Sequence, residues 1–256
     1  MARFFLSRDV MDLASGVIPI TGDDAHHIAF SLRMAVGDSL TVCDMQRTEY
    51  LCTVTSIKPE QVLLHIDQIR ENATELPLDV HLYQSLPKGD KMDYIVQKAV
   101  ELGVTSITPV AGARCIVKLD EKGAEKKIAR WQKIAEEAAK QCGRGIVPRI
   151  HMPLSFARAI EEGMSADLPL FCYEGDTTKS LRDTLSESEA AVRTSGTGGK
   201  RYSSAVYIGP EGGYDTKEVA LAQDAGFTPI NLGRRILRCE TASGFVLAAF
   251  TYAFEL

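Results

Sequence analysis

Between Ile208 and Ala242 the chain twice leaves a short apolar run through a glycine-bearing loop and enters a helix start. The loops are Gly209-Pro210-Glu211-Gly212-Gly213 and Leu232-Gly233-Arg234-Arg235. Ala205-Val206-Tyr207-Ile208 is an apolar run of the kind that fills a buried parallel strand. Pro210 lacks an N–H donor and fixes φ, so that strand has to stop there. Gly212-Gly213 permits a tight turn, Asp215 reads as a helix N-cap, and Glu218 completes a capping-box pair three residues on. Two such loops can line one pocket with backbone N–H and C=O groups, because glycine lets the backbone approach a ligand with no Cβ in the way. That suits a small cofactor better than a large partner surface. The first loop matches neither the phosphate-cradling pattern GxxxxGK(S/T) nor the dinucleotide pattern GxGxxG. Taken alone it is as much a bare helix start as a ligand site.

The second loop adds charge. Arg234, Arg235 and Arg238 follow Gly233 within five residues, and Glu240-Thr241 then opens the apolar run Ala242 to Phe254. Forked guanidinium donors suit phosphate or carboxylate ligands. They suit equally a structural brace in which Arg235 and Arg238 pair with Glu240 or Glu211. The sequence leaves both readings open.

From Leu78 onward strand and helix patterns alternate, which predicts an α/β fold with a mostly parallel sheet. Strands are expected at Val80–Gln84, Ser106–Val110, Leu168–Tyr173 and Ala205–Ile208. Helices are expected at Asp90–Leu102, with Gly103 at its C-terminal end, and at Glu121–Cys142. In the second helix Ala124, Ile128, Trp131, Ala135, Ala138 and Cys142 share one face, which makes the lone tryptophan a core residue. Thr194–Ser204 reads as a low-complexity loop despite its superficial GxGGK look. The last helix, Ser243–Phe254, is apolar almost all round and is expected to be buried.

Before Leu78 the pattern is short and β-rich: Ser39–Cys43, Tyr50–Ile57 and Val62–Ile66, with turns near Gln46-Arg47 and Lys58-Pro59. One helical segment, Asp24–Met34, interrupts it. A small β-barrel of about 70 residues is expected, followed by a polar linker from Glu71 to Pro77. A chain of 256 residues at 45% hydrophobic can bury a full core in one or two such domains.

Charge and cysteine usage narrow the classes. The net charge is −5, which weighs against indiscriminate nucleic-acid binding. Residues 1–72 hold 6 Lys and Arg against 10 Asp and Glu, which leaves 23 against 24 for the rest. RNA contact then has to come from selected arginines and lysines. Six cysteines lie scattered without CxxC spacing, as expected for reduced thiols in a cytosol and not for a disulfide framework or zinc site. No basic-then-apolar leader or membrane-spanning run is read in the sequence. His26 and His27 are adjacent, so on a helix they point about 100° apart and cannot readily share one metal ion.

The run IGPEGGYDTKEV…GFTPINLGRRILRCETA closely resembles the signature of RsmE-type 16S rRNA (uracil-N3) methyltransferases of the SPOUT superfamily. Further pieces fall in the same order: His26-His27-Ile28, Leu32-Arg33-Met34, Gly37-Asp38, Lys98 to Val104, Arg130-Trp131 and Glu137 to Arg144. The resemblance covers nearly the whole chain. Cys239 stands where threonine is commoner, Tyr214-Asp215 replaces a frequent Phe-Ser, and Leu185–Ser204 looks like a family-variable insert.

The resemblance implies a PUA-like RNA-binding β-barrel at 1–72 and a SPOUT methyltransferase domain at 73–256 with a C-terminal trefoil knot. It implies S-adenosyl-L-methionine as cofactor. The implied acceptor is N3 of the uracil called 1498 in standard numbering, in the 16S rRNA of the 30S subunit. It implies a cytoplasmic homodimer with no membrane or metal partner. Three loops, after Tyr173, at Gly209–Gly213 and at Leu232–Leu237, are expected to converge on the cofactor. Its implied contacts are Tyr173, Glu174, Ile208, Gly209, Pro210, Glu211, Gly212, Leu232, Gly233, Arg235, Ile236, Leu237 and Thr241. Arg238 is the expected stabiliser of a deprotonated uracil, Glu211 and Glu240 are candidate bases or loop braces, and Arg3, His27, Arg33 and Arg234 are candidate RNA contacts. Three other functions compete: action on another rRNA or tRNA nucleotide, a ribosome-assembly factor without catalysis, and a nucleotide-phosphate binder using the helix start after Gly213.

Overall fold

The computed structural model describes residues 1–58, 60–175, 178–195 and 201–256, which fall into two compact units. One is Met1–Glu75 with Ala139–Val147, and the other is Leu76–Ala138 with Pro148–Leu256.

In the first unit, β1 (Arg3–Phe5), β2 (Val17–Thr21), β3 (Ser39–Cys43), β4 (Thr48–Lys58) and β5 (Gln61–Glu71) form one sheet in the order β1-β3-β4-β5-β2. All pairings are antiparallel except β1 with β3. Side-chain alternation turns Tyr50, Cys52, Val54, Val62 and Leu64 inward against Phe4, Ile18, Ile20, Ile28 and Leu40. Register shifts between Leu51 and Cys52 and between Val54 and Ser56 bend the sheet, as extra residues in one strand do. The result is a curled half-barrel, with β1 and β2 at its two edges.

The helical segment is shorter than its sequence pattern. α1 (Gly22–His26) passes directly into a π-turn at His27–Ser31. The chain then reverses at Arg33, which takes φ +52, a left-handed conformation costing a non-glycine residue about 1 kcal/mol. The expected continuation to Met34 fails because that backbone cannot extend a helix.

Buried charge secures this unit. Glu49, with its side chain 3% exposed, accepts from Arg3 Nη1 at 2.6 Å, Arg70 Nε at 2.8 Å and Asn72 Nδ2 at 2.5 Å. Burial works against its charged form, but the bonds from Arg3, Asn72 and Arg70 win and hold its carboxyl below the usual range. Glu75 pairs with Arg144 at 2.5 Å, both side chains being 3% exposed, and also accepts from the N–H groups of Gly145 and Ile146.

In the second unit the sheet strands are β6 (Asp79–Ser85), β7 (Ser106–Ala111), β8 (Arg149–Ile150), β9 (Leu154–Ser155), β10 (Leu168–Cys172), β11 (Lys179–Ser180), β12 (Ser203–Ile208) and β13 (Thr228–Asn231). They run in the order β11-β13-β10-β12-β6-β7-β8, with β9 also on β7, and every pairing is parallel. The helices are α2 (Lys91–Glu101), α3 (Glu121–Cys142, of which 121–138 belong to this unit), α4 (Phe156–Gly163), α5 (Leu181–Thr194), α6 (Thr216–Asp224) and α7 (Cys239–Phe254). α4 and α6 cover the sheet face that carries Tyr83, Phe171 and Tyr207, with Tyr83 stacked on Tyr207 at 4.4 Å. α7 packs with α2 and α5. Trp131 is a core residue at 3% exposure, and its Nε1 donates to Asp93.

One expectation needs correction here. α7 is not buried all round: Val246, Leu247 and Phe250 are buried, but Phe245 and Tyr252 are 46% and 76% exposed. A helix covered on one side leaves its other apolar side to solvent in the single chain. The stretch read as a family-variable insert starts at Leu185, within α5, a helix capped by Ser180 accepting from the Asp183 N–H. The core of the low-complexity stretch, 196–200, lies outside the described residues. Among the described residues no helix is long and apolar enough to cross a membrane.

Candidate active site

Parallel strands present their C-terminal ends on one edge of a sheet, where ligands of open α/β sheets bind. β10, β12 and β13 are neighbours, so the segments that begin at Tyr173, Gly209 and Leu232 leave that edge side by side. The next strands over, β6 and β7, bring Lys88 to Lys91 and Gly112 to Cys115 alongside.

The first glycine loop is braced from below and from one side. A Cβ on Gly209 would meet the Tyr214 ring at 3.0–3.3 Å. That ring is buried against Phe171 and Phe156, with centroids at 4.2 and 5.8 Å. Gly213 takes φ +67 and its N–H donates to Pro210 O at 2.9 Å, closing the turn. Arg114 Nη1 donates to Gly212 O at 3.0 Å. The capping box is present: the Asp215 side chain accepts from Lys217 N, and Glu218 accepts from Asp215 N at 2.9 Å and from Ala113 N at 2.7 Å. Ile208 and Pro210 are buried, so they shape the floor of this loop. Tyr173 is half-buried, its N–H donating to Ile230 O, and Glu174 is exposed.

The second loop is anchored at its start and open beyond. Asn231 Nδ2 donates to Thr178 Oγ1 and Lys179 O, and its Oδ1 accepts from Gly233 N. Gly233 takes φ +106. Leu232 and Leu237 are half-buried, while Arg234, Arg235 and Ile236 are exposed, Ile236 to 80%. Among the described residues the N–H groups of Ile236 and Leu237 have no protein acceptor. Arg238 is the N-cap residue of α7, where its carbonyl accepts from Thr241 N and Ala242 N. Its guanidinium is exposed and, like those of Arg234 and Arg235, has no acidic partner among the described residues. Thr241 is exposed on the first turn of the same helix.

The acids that sequence pairs with these arginines are held elsewhere. Lys91 Nζ lies 2.8 Å from Glu211 Oε1 and 3.5 Å from Glu240 Oε2, and Lys88 N donates to Glu211 Oε1 at 3.1 Å. Burial disfavours both carboxylates. For Glu211 the hydrogen bonds from Lys91 and its surroundings outweigh it, and for Glu240 those from its own backbone N–H, the Cys239 thiol and Lys91 do, so both stay below the ordinary carboxylate range. Carboxylates so held are weak bases. Among the described residues the site therefore carries three arginines without an acidic partner, beside two carboxylates that share one lysine.

Of the candidate RNA contacts, Arg234 and Arg33 are exposed, and so is His27, whose ring lies 6.3 Å from Phe4. Arg3 is different. Its side chain is 13% exposed and is spent on Glu49, Cys43 Sγ and Arg144 O. A guanidinium committed to a buried carboxylate is a brace, so the expected RNA contact does not fit its position. Among the described residues no cluster of three or more His, Cys, Asp or Glu could hold a metal ion.

A family model described as an RNA methyltransferase domain matches residues 74–251, and one described as an RNA methyltransferase PUA domain matches residues 20–67. The ribosomal RNA small subunit methyltransferase E of Bacillus subtilis (strain 168) is 36% identical over 258 residues, spanning 100% of this chain and 98% of that protein. The chain belongs to the ribosomal RNA small subunit methyltransferase E family. Two solved structures agree with that membership. One is a ribosomal RNA small subunit methyltransferase E from Neisseria gonorrhoeae bound to S-adenosyl methionine, the other a putative methyltransferase from Legionella pneumophila with bound SAM. Each is 30% identical with a TM-score of 0.81, covering 99% of this chain and 98% of its own.

Two side chains of this methyltransferase's site escaped the sequence reading: Lys91 and Arg114. The signal for Lys91 was present. Ser85 to Lys91 is a third strand–glycine–helix passage, with Gly89 and Asp90 before the helix, in the same pattern as the two loops that were recognised.

Proposed function

We propose that this protein methylates N3 of uracil 1498 in the 16S rRNA of the 30S subunit, in the cytoplasm, with S-adenosylmethionine as methyl donor. The observation that carries the proposal is Arg238: a residue held by its backbone at the start of α7, directly after the glycine loop, whose exposed guanidinium has no acidic partner among the described residues. Bound S-adenosylmethionine supplies an electrophilic methyl on a sulfonium. The residues fit such a ligand. Unpartnered N–H groups at Ile236 and Leu237 offer donors to an adenine edge, the same two side chains offer apolar contact, and Gly209 and Gly212 leave the backbone approachable.

N3 of a uracil is a poor nucleophile until its proton is lost, here to solvent water, since Lys91 already holds both Glu211 and Glu240. Arg238 favours the imidate through charge-assisted hydrogen bonds to the adjoining oxygens. Glu211 and Glu240, already paired with Lys91, act as braces of the loops. Arg234 meets RNA phosphate, and Arg235 lines the cofactor loop. The uracil has to be lifted from its stack before its Watson–Crick edge is reachable. In the RNA-binding domain read at residues 1–72, Arg33 and His27 provide contacts, with Phe30, 55% exposed, between them in sequence. The exposed side of α7, with Phe245 and Tyr252, and Tyr94 of α2 at 52% exposure form the self-contact of a homodimer, the commonest oligomer. The family's C-terminal knot belongs to the segment that carries these loops, and an experimentally phased chain trace tests it.

The function is tested with Arg238→Ala and Arg238→Lys. Transfer to small subunits should be lost in the first and largely lost in the second, while S-adenosylhomocysteine affinity stays within a few fold. Joint loss of affinity and transfer would make Arg238 a pocket brace.

A further inference from the structure

Among the described residues Lys91 is the one cation paired with both Glu211 and Glu240. It is the first residue of α2, a helix that packs on α7. Its ammonium reaches Glu211 in the first glycine loop at 2.8 Å and Glu240 in the first turn of α7 at 3.5 Å. Glu240 lies two residues after Arg238, so this contact bears on the end of the second loop. The three side chains are 31%, 28% and 18% exposed, partly withdrawn from solvent.

We propose that Lys91 is a positioning residue: it ties the first glycine loop to the start of α7 and so sets the separation of the two loops that take the cofactor. The proposal rests on the reading of those loops as the S-adenosylmethionine site. Three features support it. The lysine is anchored by helix packing outside both loops, so it can hold one against the other. Its position is itself fixed, since Lys88 N, three residues earlier, also donates to Glu211. A compact ammonium with three donors serves two carboxylates from one point, which a planar guanidinium does less readily. Without it two carboxylates face each other across the loops, and like charges at short range repel.

That repulsion gives the test its sign. In Lys91→Met, affinity for S-adenosylhomocysteine measured by calorimetry should fall about tenfold, and Lys91→Arg, which keeps the charge but not the compact geometry, should recover part of it. Adding Glu211→Gln to Lys91→Met should restore binding in part, because one of the two facing charges is gone. A lysine that merely supported the fold would give additive losses and no recovery. Hydrogen exchange provides a readout without ligand: amides at 211–213 and 236–240 should exchange faster in Lys91→Met and return towards wild type in Lys91→Arg. Affinity within twofold of wild type in Lys91→Met, or a double variant weaker than the single one, overturns the proposal. So does unchanged exchange at both loops. A wild-type protein that fails to bind S-adenosylhomocysteine contradicts the cofactor reading instead, and the exchange comparison then judges the clamp alone.

Discussion

Arg238 and Lys91 divide the work of the site by their partners. Arg238 has none among the described residues, as its proposed substrate role requires, whereas Lys91 is spent on two carboxylates. Loss of the Arg238 charge should cost on the order of a hundredfold or more in the transfer rate, as loss of one transition-state donor does, read by single-turnover label transfer. The clamp also sets a pH window. Glu211 and Glu240 titrate below their ordinary 4.5, so their contribution is complete above that value and lost as pH falls through the lowered one. Lys91, raised above 10.5 chiefly by its bond to Glu211, contributes below that value and loses it as pH climbs through the raised one. Cofactor affinity should therefore be flat across the neutral range, with no step near neutrality of the kind a carboxylate poised as general base would give. Calorimetry from about pH 5 to 10 checks this. At this scale the sequence was legible where the chemistry is local. Glycine at a turn and arginine after it are visible in a few consecutive residues. Lys91 was missed because its partners lie 120 and 149 positions away, a relation only the folded sheet edge creates. Arg3 was misread for the same reason: an exposed arginine near a terminus and one buried on Glu49 look identical in sequence.

Elements were legible where a stop signal accompanies the period. Gly103 ends α2 with φ +87, and a Cβ there would meet Leu76 Cδ1 at 2.7 Å. Gly103→Ala should therefore lower stability by about 1–2 kcal/mol from the left-handed backbone alone, with the contact adding to it, measured by denaturant unfolding. Asp215→Ala removes the cap of α6 and should cost about 1 kcal/mol. Loss of that cap should also speed hydrogen exchange at 211–213, since the loop leads directly into the helix. Where the signal was absent the reading slipped. The helix after β2 ends in a π-turn and a left-handed Arg33, which no glycine announces. α5 carries Ser and Glu at many positions, and its amphipathic face, buried at Leu181, Leu185 and Val192, was hidden by the low-complexity stretch after it. α7 showed its apolar character but not which side the chain itself covers.

The two units depend on different stabilising devices. The first gathers buried charge around Glu49 and Glu75, and breaking such a pair by removing one partner costs about 3–5 kcal/mol. Arg144→Ala should thus unfold the first unit at markedly lower denaturant, seen as a separate early transition. The second unit buries an aromatic cluster on one sheet face and leaves Phe245 and Tyr252 exposed on α7. Exposed aromatics on one helix ask for a partner surface, and Phe245→Lys with Tyr252→Lys should yield a monomer by light scattering if the second copy supplies it. The class of fold was legible because strand–helix alternation and period-2 runs are properties of composition along the chain. The sheet order was not, since β12 inserts between β6 and β10 through contacts that no local pattern encodes. Methylation of N3 of one uracil, the proposed activity of this site, is tested most directly by label transfer. The protein is incubated with methyl-labelled S-adenosylmethionine and 30S subunits lacking their N3-methyluridine, and the labelled nucleoside is mapped. Label in 3-methyluridine at position 1498 of 16S rRNA is the expected result; label in another nucleoside, or none despite cofactor binding, would contradict it.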